Sequence, residues 1–323
     1  MEDKLIHVEI VIPVHNRRET TLQGLRSLSH IDHAGLFVHI IVVDDGSTDG
    51  TAEAIRRQFP EVEIVYGDGT LHYAAGTNRG LQCALRKNPD YILAANDDAI
   101  FDVQFLRRMV SCAEENPRSV VGALLLLWDR PHQVFQVDPR WNTWYGGWQL
   151  PQGLTAWNVP QEPWEVDAIV GNCVLYPVEV TREVGLMDEK KFPCGWGDAQ
   201  YTRRMARAGW RLLIEPQARV WCEPNVNPPP LKTLSLRQLL RVLLVNERHP
   251  LNLKRQFVAR WESAPTRFLA ATAFCVALVR LGLKSFGLGG DWPNWPDEKL
   301  KGRLSRVSTA RTKSYHALEA QNR

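Results

Sequence analysis

Residues 37–51 read FVHIIVVDDGSTDGT, and this stretch decides the fold. Six residues of Phe, Val and Ile, interrupted only by His39, have the composition of a buried strand. The run stops abruptly on Asp44 and Asp45, carboxylates that are costly to bury unless something pairs with them. Glycine and small hydroxyl residues follow. Ser47 or Thr48 is placed to cap a helix running to about Phe59, with Glu53 in its first turns. Strand, polar turn, helix is one half of a β-α-β unit.

The same pattern repeats on both sides. HVEIVIPV (7–14) precedes helical spacing at Leu22, Leu25 and Leu28 within 17–29. VEIVY (62–66) precedes a helix over 73–87, which Asn88-Pro89 stops. YILAA (91–95) and VVGALLLL (120–127) bracket a helix over roughly 102–115. Strands and helices alternating at this spacing imply a parallel sheet with helices on both faces. Such sheets bind ligands beyond the carboxyl ends of their strands. Four consecutive strands deliver polar residues to that edge: His15-Asn16-Arg17, Asp44-Asp45, Gly67-Asp68-Gly69 and Asn96-Asp97-Asp98. Any one of these alone is a solvated turn. Four in succession point to a binding rim, on which the adjacent Asp97 and Asp98 are either a solvated turn or the seat of a cation.

Beyond residue 127 the character changes. Six of the twelve tryptophans (Trp128, Trp141, Trp144, Trp148, Trp157, Trp164) fall in 128–164 among Pro, Gly, Gln and Asn, which predicts an irregular flap. Its rings either pack on the body or form a platform for an acceptor. Residues 165–185 read as strand, turn and helix, 198–208 as a helix ended by Gly209, and WRLLI and ARVWC as two short strands. Amphipathic helices are expected over 231–245 and 253–288, then a loose polar tail over the last thirty or so residues.

Charge divides the chain. Residues 231–323 carry 17 Lys and Arg against 6 Asp and Glu, whereas 1–230 carry 22 against 30, so an acidic body bears a basic extension. Basic residues spread through apolar helices fit an anionic membrane surface, or packing against the body or a second subunit in a homo-oligomer. They do not resemble a nucleic-acid module. The longest apolar run, Phe268–Val279, is too short to span a bilayer. Six cysteines without paired spacing, and an N-terminus without a secretory signal, lead us to expect reduced thiols in a cytoplasmic protein, peripheral to the inner face of the membrane if it meets one.

Taken in order, VIPVHNR (11–17), VVDDGSTDGT (42–51), YGDG (66–69), GTNRG (76–80) and NDD (96–98) resemble the nucleotide-sugar half of the inverting family 2 glycosyltransferases. The amphipathic, basic composition of 231–323 marks it as a C-terminal helical extension beyond the resemblance. The resemblance implies an α/β GT-A fold, a doubly wound, mostly parallel sheet flanked by helices, for a transferase domain over 1–230, with a nucleotide-sugar half to 127 and an acceptor half from 128. It assigns Pro13, His15, Asn16, Asp44, Asp68, Asn78, Asn96 and Asp97 to the nucleotide sugar. It assigns Asp98 to a divalent metal, Mg²⁺ or Mn²⁺, and Asp198, in GWGDAQYTRRMARAGWR (195–211), to the catalytic base. Trp196 and Arg204 lie near enough in sequence to contact the acceptor. Gly197 and Gln200 stand where relatives have acidic residues, so Asp198 is the sole carboxylate of that turn, and Cys222 or Glu223 falls where relatives place a further ligand.

This chemistry has clear needs. A leaving diphosphate gains charge that a hard cation can neutralise, and such a cation wants carboxylate oxygen. The attacking hydroxyl must lose a proton to a base on the other side of the sugar. The resemblance implies a nucleoside-diphosphate sugar donor, a saccharide or lipid-linked saccharide acceptor, and rhamnosyltransferase-like work in cell-surface polysaccharide assembly. A non-catalytic nucleotide-sugar-binding relative is the alternative. A sugar nucleotidyltransferase would need an early glycine-rich phosphate loop, which VIPVHNR lacks.

Overall fold

The computed structural model describes residues 5–224, 234–246, 249 and 251–285. In chain order the first half contains β1 (Ile6–Val14), α1 (Arg18–Leu28), β2 (Leu36–Asp44), α2 (Thr51–Gln58), β3 (Glu63–Tyr66), α3 (His72–Arg86), β4 (Tyr91–Ala95), β5 (Ala99–Phe101), α4 (Phe105–Glu115) and β6 (Ser119–Leu127). The flap holds a small hairpin, β7 (Arg140–Asn142) and β8 (Gly147–Gln149), and then β9 (Trp164–Glu165). β10 (Cys173–Pro177), α5 (Val178–Val184), α6 (Gly197–Arg207) and β11 (Arg211–Cys222) complete the body. The C-terminal helices are α7 (Leu236–Leu240), continued by a π-helical turn over Arg241–Val245, α8 (Leu253–Ser263) and α9 (Arg267–Ser285).

One sheet runs in the order β3-β2-β1-β4-β10-β6-β11-β5, with β9 on β11. β3, β2, β1 and β4 are parallel, and β6 and β11 run the same way. β5, β9 and β10 run against them, so the sheet is mostly rather than wholly parallel. β1 shows why both faces are covered. Val8, Ile10, Ile12 and Val14 turn toward Leu22 and Leu25 of α1 and Ile55 of α2, while Val11 turns toward Leu81 and Ala84 of α3.

Three local expectations change. The two short strands over WRLLI and ARVWC are one strand, β11, bent by a register shift between Glu215 and Arg219. Neither Ser47 nor Thr48 caps α2. That helix starts from Gly50 in the left-handed region, and Asp49 accepts the Thr51 amide at 3.1 Å. Ser47 and Thr48 are engaged with Asn16 instead. The helix expected over 253–288 is two helices, split at 264–266. Its last three residues, the start of the helix expected from 231 and the loose tail lie outside the described residues.

The flap rings divide between two surroundings. Trp164 is buried, and Trp128 donates to the Trp221 carbonyl. The β7–β8 hairpin leans on the C-terminal helices: Trp148 Nε1 donates to Ser263 Oγ at 2.7 Å, Arg260 Nε to the Gly146 carbonyl at 2.6 Å, and Arg280 to the Tyr145 carbonyl. Trp144 and Trp157 stay exposed.

Gly80 sets how close α3 comes to the sheet. A Cβ there would lie 2.2 Å from Val11 Cγ1 and 3.1 Å from Val43 Cγ2. Both valines belong to central strands and cannot retreat. Gly80→Ala is expected to lower stability by about 1–3 kcal/mol through overpacking, read as a reduced urea midpoint with an unchanged slope.

Candidate active site

The polar clusters do converge, and they first bind one another. Asn16, at φ 52°, accepts the Thr48 amide on Oδ1 at 2.7 Å and donates its own amide to Ser47 Oγ at 2.9 Å. His15 Nδ1 lies 2.6 Å from the Asp45 carbonyl, which can only accept, so Nδ1 carries the proton. Nε2 then accepts from Asn16 Nδ2 at 3.0 Å. Asp44, buried, folds its carboxylate onto the Ser47 amide at 2.9 Å. Asp45, which the resemblance did not single out, ties two loops together, taking the amides of Gly69 at 2.8 Å and His72 at 3.1 Å. Asp68 stands exposed at the tip of the third cluster, its carboxyl held below the usual carboxylate range by the Thr70 hydroxyl and amide. Pro13, near the end of β1, sits against the Gly76 turn of α3. The rim is therefore prebuilt by the chain itself.

An acidic corner lies beside it. Asp97 and Asp98 leave β4 into a nearly dry environment, and Glu223 follows β11 alongside. Arg17 spans all three: Nε is 3.5 Å from Asp97 Oδ2, Nη1 3.6 Å from Asp98 Oδ2, and Nη2 pairs with Glu223. Burial pushes the Asp97 carboxyl up to about 7, with Arg17 pulling it down and Asp98 pushing it further up. Burial raises Asp98 too, opposed by Arg17 and reinforced by Glu223.

One guanidinium among three carboxylates leaves the corner short of positive charge. Asp98 Oδ1 and Asn96 Oδ1 are both buried without a hydrogen-bond partner. Asp98 thus turns one oxygen to Arg17 and keeps the other unpaired, a donor set that fits a hard cation. Among the described residues no three His, Cys, Asp or Glu side chains are grouped to hold a metal unaided. Cys222 is fully buried, its thiol raised well above its ordinary value by burial and then by Asp98. Of Cys222, which ends β11, and Glu223, which follows it, Glu223 has its carboxylate at the corner, paired to Arg17.

Asp198 occupies the other wall. Gly195 and Trp196 are both left-handed, at φ 67° and 63°, and α6 begins directly after them. A tryptophan held there is strained. Asp198 does not cap this helix. Its Oδ2 accepts the Gly171 amide at 2.6 Å. Gly171 must be glycine, since a Cβ would lie 2.3 Å from Asp198 Cβ and 2.9 Å from the Tyr73 hydroxyl. Tyr73 donates to the Gly171 carbonyl at 3.1 Å and stands between the two walls. Burial raises its pKa first, then Asp198, and Asp98 contributes from the far side. Neither Gly171 nor Tyr73 carries a signal in the sequence, because each acts through a neighbour distant in the chain. Arg255 of α8 presses on Gly195, with Cys194 and Asp198 close to its guanidinium.

Two expected contacts are structural braces. Asn78 is buried with its amide fully engaged: Nδ2 donates to the Met187 carbonyl at 2.9 Å and Glu189 Oε2 at 2.7 Å, and Oδ1 accepts the Met187 amide at 2.9 Å. It anchors the loop before α6 and has no hydrogen left for a nucleotide. Arg204 points back into the body, donating to the Leu186 carbonyl with its guanidinium 5.2 Å from the Tyr201 ring centre. Helical spacing put Arg204 near Asp198 in sequence, but the turn of the helix takes it to another face.

The sequence profile of Glycosyl transferase family 2 matches residues 9–184, just over half the chain. An N-acetylglucosaminyl-diphospho-decaprenol L-rhamnosyltransferase, from two strains of Mycobacterium tuberculosis, is 25% identical over 215 residues. That alignment covers 57% of this chain and 66% of the relative, slightly less than two thirds of its length. The crystal structure of GalNAc-T7 with UDP, GalNAc and Mn²⁺ shares the fold, with TM-score 0.57 and 17% identity over 84% of this chain and 55% of the other. The GT-A architecture expected from the sequence is therefore the one found.

The acidic corner makes stability depend on pH. Asp97 titrates near 7 when folded and near 3.8 when unfolded, so between these values the folded state holds the extra proton. Stability then falls as pH rises from about 4 to about 7, and Asp98 adds in the same direction. Asp97→Asn is expected to be more stable than wild type at pH 8 in chelator, by on the order of 1–3 kcal/mol, and to lose this advantage near pH 4. Urea unfolding at the two pH values checks this. An equal difference at both would mean that Arg17 already neutralises the carboxylate completely.

Proposed function

The chain belongs to glycosyl transferase family 2, and we propose that it moves a sugar from a nucleoside-diphosphate donor to a hydroxyl acceptor in one metal-dependent, inverting displacement. The observation that carries this is the pairing of two acidic walls across Tyr73. One has an unpaired buried oxygen, Asp98 Oδ1, and the other has a positioned carboxylate, Asp198. In this reading Pro13, His15, Asn16, Asp44 and Asp68 frame the base and ribose, and Asn96 and Asp97 flank the ribose and diphosphate. Asp98, assisted by Asn96 Oδ1, holds Mg²⁺ or Mn²⁺. The Mn²⁺ in the GalNAc-T7 complex accords with an ion of that class. Bound there, the ion would neutralise the charge growing on the departing diphosphate.

The chain's own residues account for the rest. The Gly171 amide fixes Asp198 Oδ2, which leaves Oδ1 to take the proton of the attacking hydroxyl. Attack opposite to departure inverts the anomeric centre without a covalent intermediate. Trp196, beside the base, offers a ring face to the acceptor sugar. The similarity to an N-acetylglucosaminyl-diphospho-decaprenol L-rhamnosyltransferase supports a deoxyhexose donor and a lipid-linked saccharide acceptor in cell-surface polysaccharide assembly. Six free cysteines suit a reducing compartment, and we place the reaction on the cytoplasmic side.

Nucleoside diphosphate release from a panel of nucleotide sugars, with Mn²⁺ or with chelator, tests this reading. Release from one donor should need metal and be lost in Asp98→Ala. Asp198→Asn should keep donor affinity while slowing transfer by about 100- to 10,000-fold. Full metal-independent turnover, or an unimpaired Asp198→Asn enzyme, would contradict it.

A further inference from the structure

The C-terminal helices expose apolar faces that a water-soluble surface would not keep. Residues 236–245 read LRQLLRVLLV: seven are apolar, two are Arg, and none is buried. Leu236, Leu240 and Leu244 follow one another at helical spacing and are 72%, 49% and 61% exposed, with Arg237 and Arg241 beside them. α9 repeats the arrangement. Its inner side buries Ala270 and Ala273, while beyond the exposed Arg267 at its start its outward residues are Phe268, Ala271, Cys275, Leu278 and Val279, all uncharged. An outer helix normally turns polar residues to water, and the inversion here calls for a cover. The flap hairpin fixed to α9 through Arg280 adds Trp144, 79% exposed. Between hairpin and helices lies a cleft of about 210 Å³, floored by Tyr145, Phe274, Leu278 and Leu281 and edged by Arg260 and Arg280.

Charge selects the occupant. Within residues 234–246 and 251–285 the sequence has Arg237, Arg241, Lys254, Arg255, Arg260, Arg267, Arg280 and Lys284 against the single acid Glu262. The remaining 286–323 segment carries 7 Lys and Arg against 4 Asp and Glu, the same sign, so it is electrostatically mismatched as a cover. Apolar side chains interleaved with Arg, and an exposed Trp, match acyl chains beneath anionic headgroups. No helix among the described residues is long and apolar enough to cross a membrane, so contact would be with the surface.

We infer that the outward faces of residues 236–245 and α9 dock this protein on an anionic phospholipid bilayer. α8 packs between them and touches Gly195 through Arg255, so docking holds the Asp198 wall at the membrane, where a lipid-linked acceptor would present its sugar. Docking rests on these exposed faces and not on the transfer reaction, so vesicle binding and donor cleavage can fail separately.

Flotation of the full chain with vesicles tests the inference. Phosphatidylcholine vesicles containing about a third phosphatidylglycerol should carry about tenfold more protein than phosphatidylcholine alone, and high salt should reduce that excess. Leu240→Ser combined with Leu244→Ser, Phe268→Ser and Val279→Ser should abolish flotation with an unchanged unfolding midpoint, since every site is exposed. Arg237→Gln with Arg241→Gln should weaken it without altering the apolar face. Equal recovery on both vesicle types, or undiminished flotation of the four-serine variant, would overturn the inference. So would a wild-type dimer, without vesicles, that the serine substitutions dissociate, because the cover would then be a second copy.

Discussion

Two carboxylates at the end of a core strand must be kept out of water without being neutralised, and the corner around Asp97 and Asp98 is arranged to meet that cost. Arg17 offsets part of it by reaching from the first loop to three carboxylates, one of them after the last strand of the sheet. The offset is incomplete, since burial still holds both Asp97 and Asp98 above their ordinary values. A buried acidic site in this condition is a poor stabilising element and a good receiver of positive charge. In the function proposed here, that unmet charge is what a cation and a diphosphate would answer.

Rigidity elsewhere follows from that requirement. His15, Asn16, Ser47, Asp45 and Gly69 are cross-linked by hydrogen bonds between loops that the sheet brings side by side, so little remains to be ordered when a ligand arrives. The opposite wall is built from more distant pieces. Asp198 is set by the amide of Gly171, the loop before α6 is anchored by Asn78, and α8 closes on Gly195. Chemistry that needs a metal and a base on opposite sides of one sugar needs two walls that do not drift, and these contacts hold the second against the first.

The sequence made the first wall legible and left much of the second hidden. Strand composition and the polar residue at each strand end located β1 to β4 and the rim, because both are local signals. Inserting β10 between β4 and β6 depends on pairing across nearly eighty residues, which local periodicity does not reveal. The same limit explains Asn78 and Arg204. Their residue types suit a ligand, but their partners, Met187, Glu189 and Leu186, become neighbours only after folding. Tyr73 and Gly171 show the converse, ordinary residues made important by position alone. Ser47 and Thr48 had the composition of a helix cap, yet the first loop claimed them.

In the proposed function, Asp98 Oδ1 is the protein's ligand to a divalent ion shared with the donor diphosphate. Crystals grown with Mn²⁺ and a nucleoside diphosphate, measured near the manganese absorption edge, test it most directly. One anomalous peak is expected about 2 Å from Asp98 Oδ1 and in contact with the diphosphate oxygens, with Asp198 across the cleft still held by Gly171. A nucleotide bound on the rim with no manganese at Asp98, or a manganese ion ligated elsewhere, would contradict it.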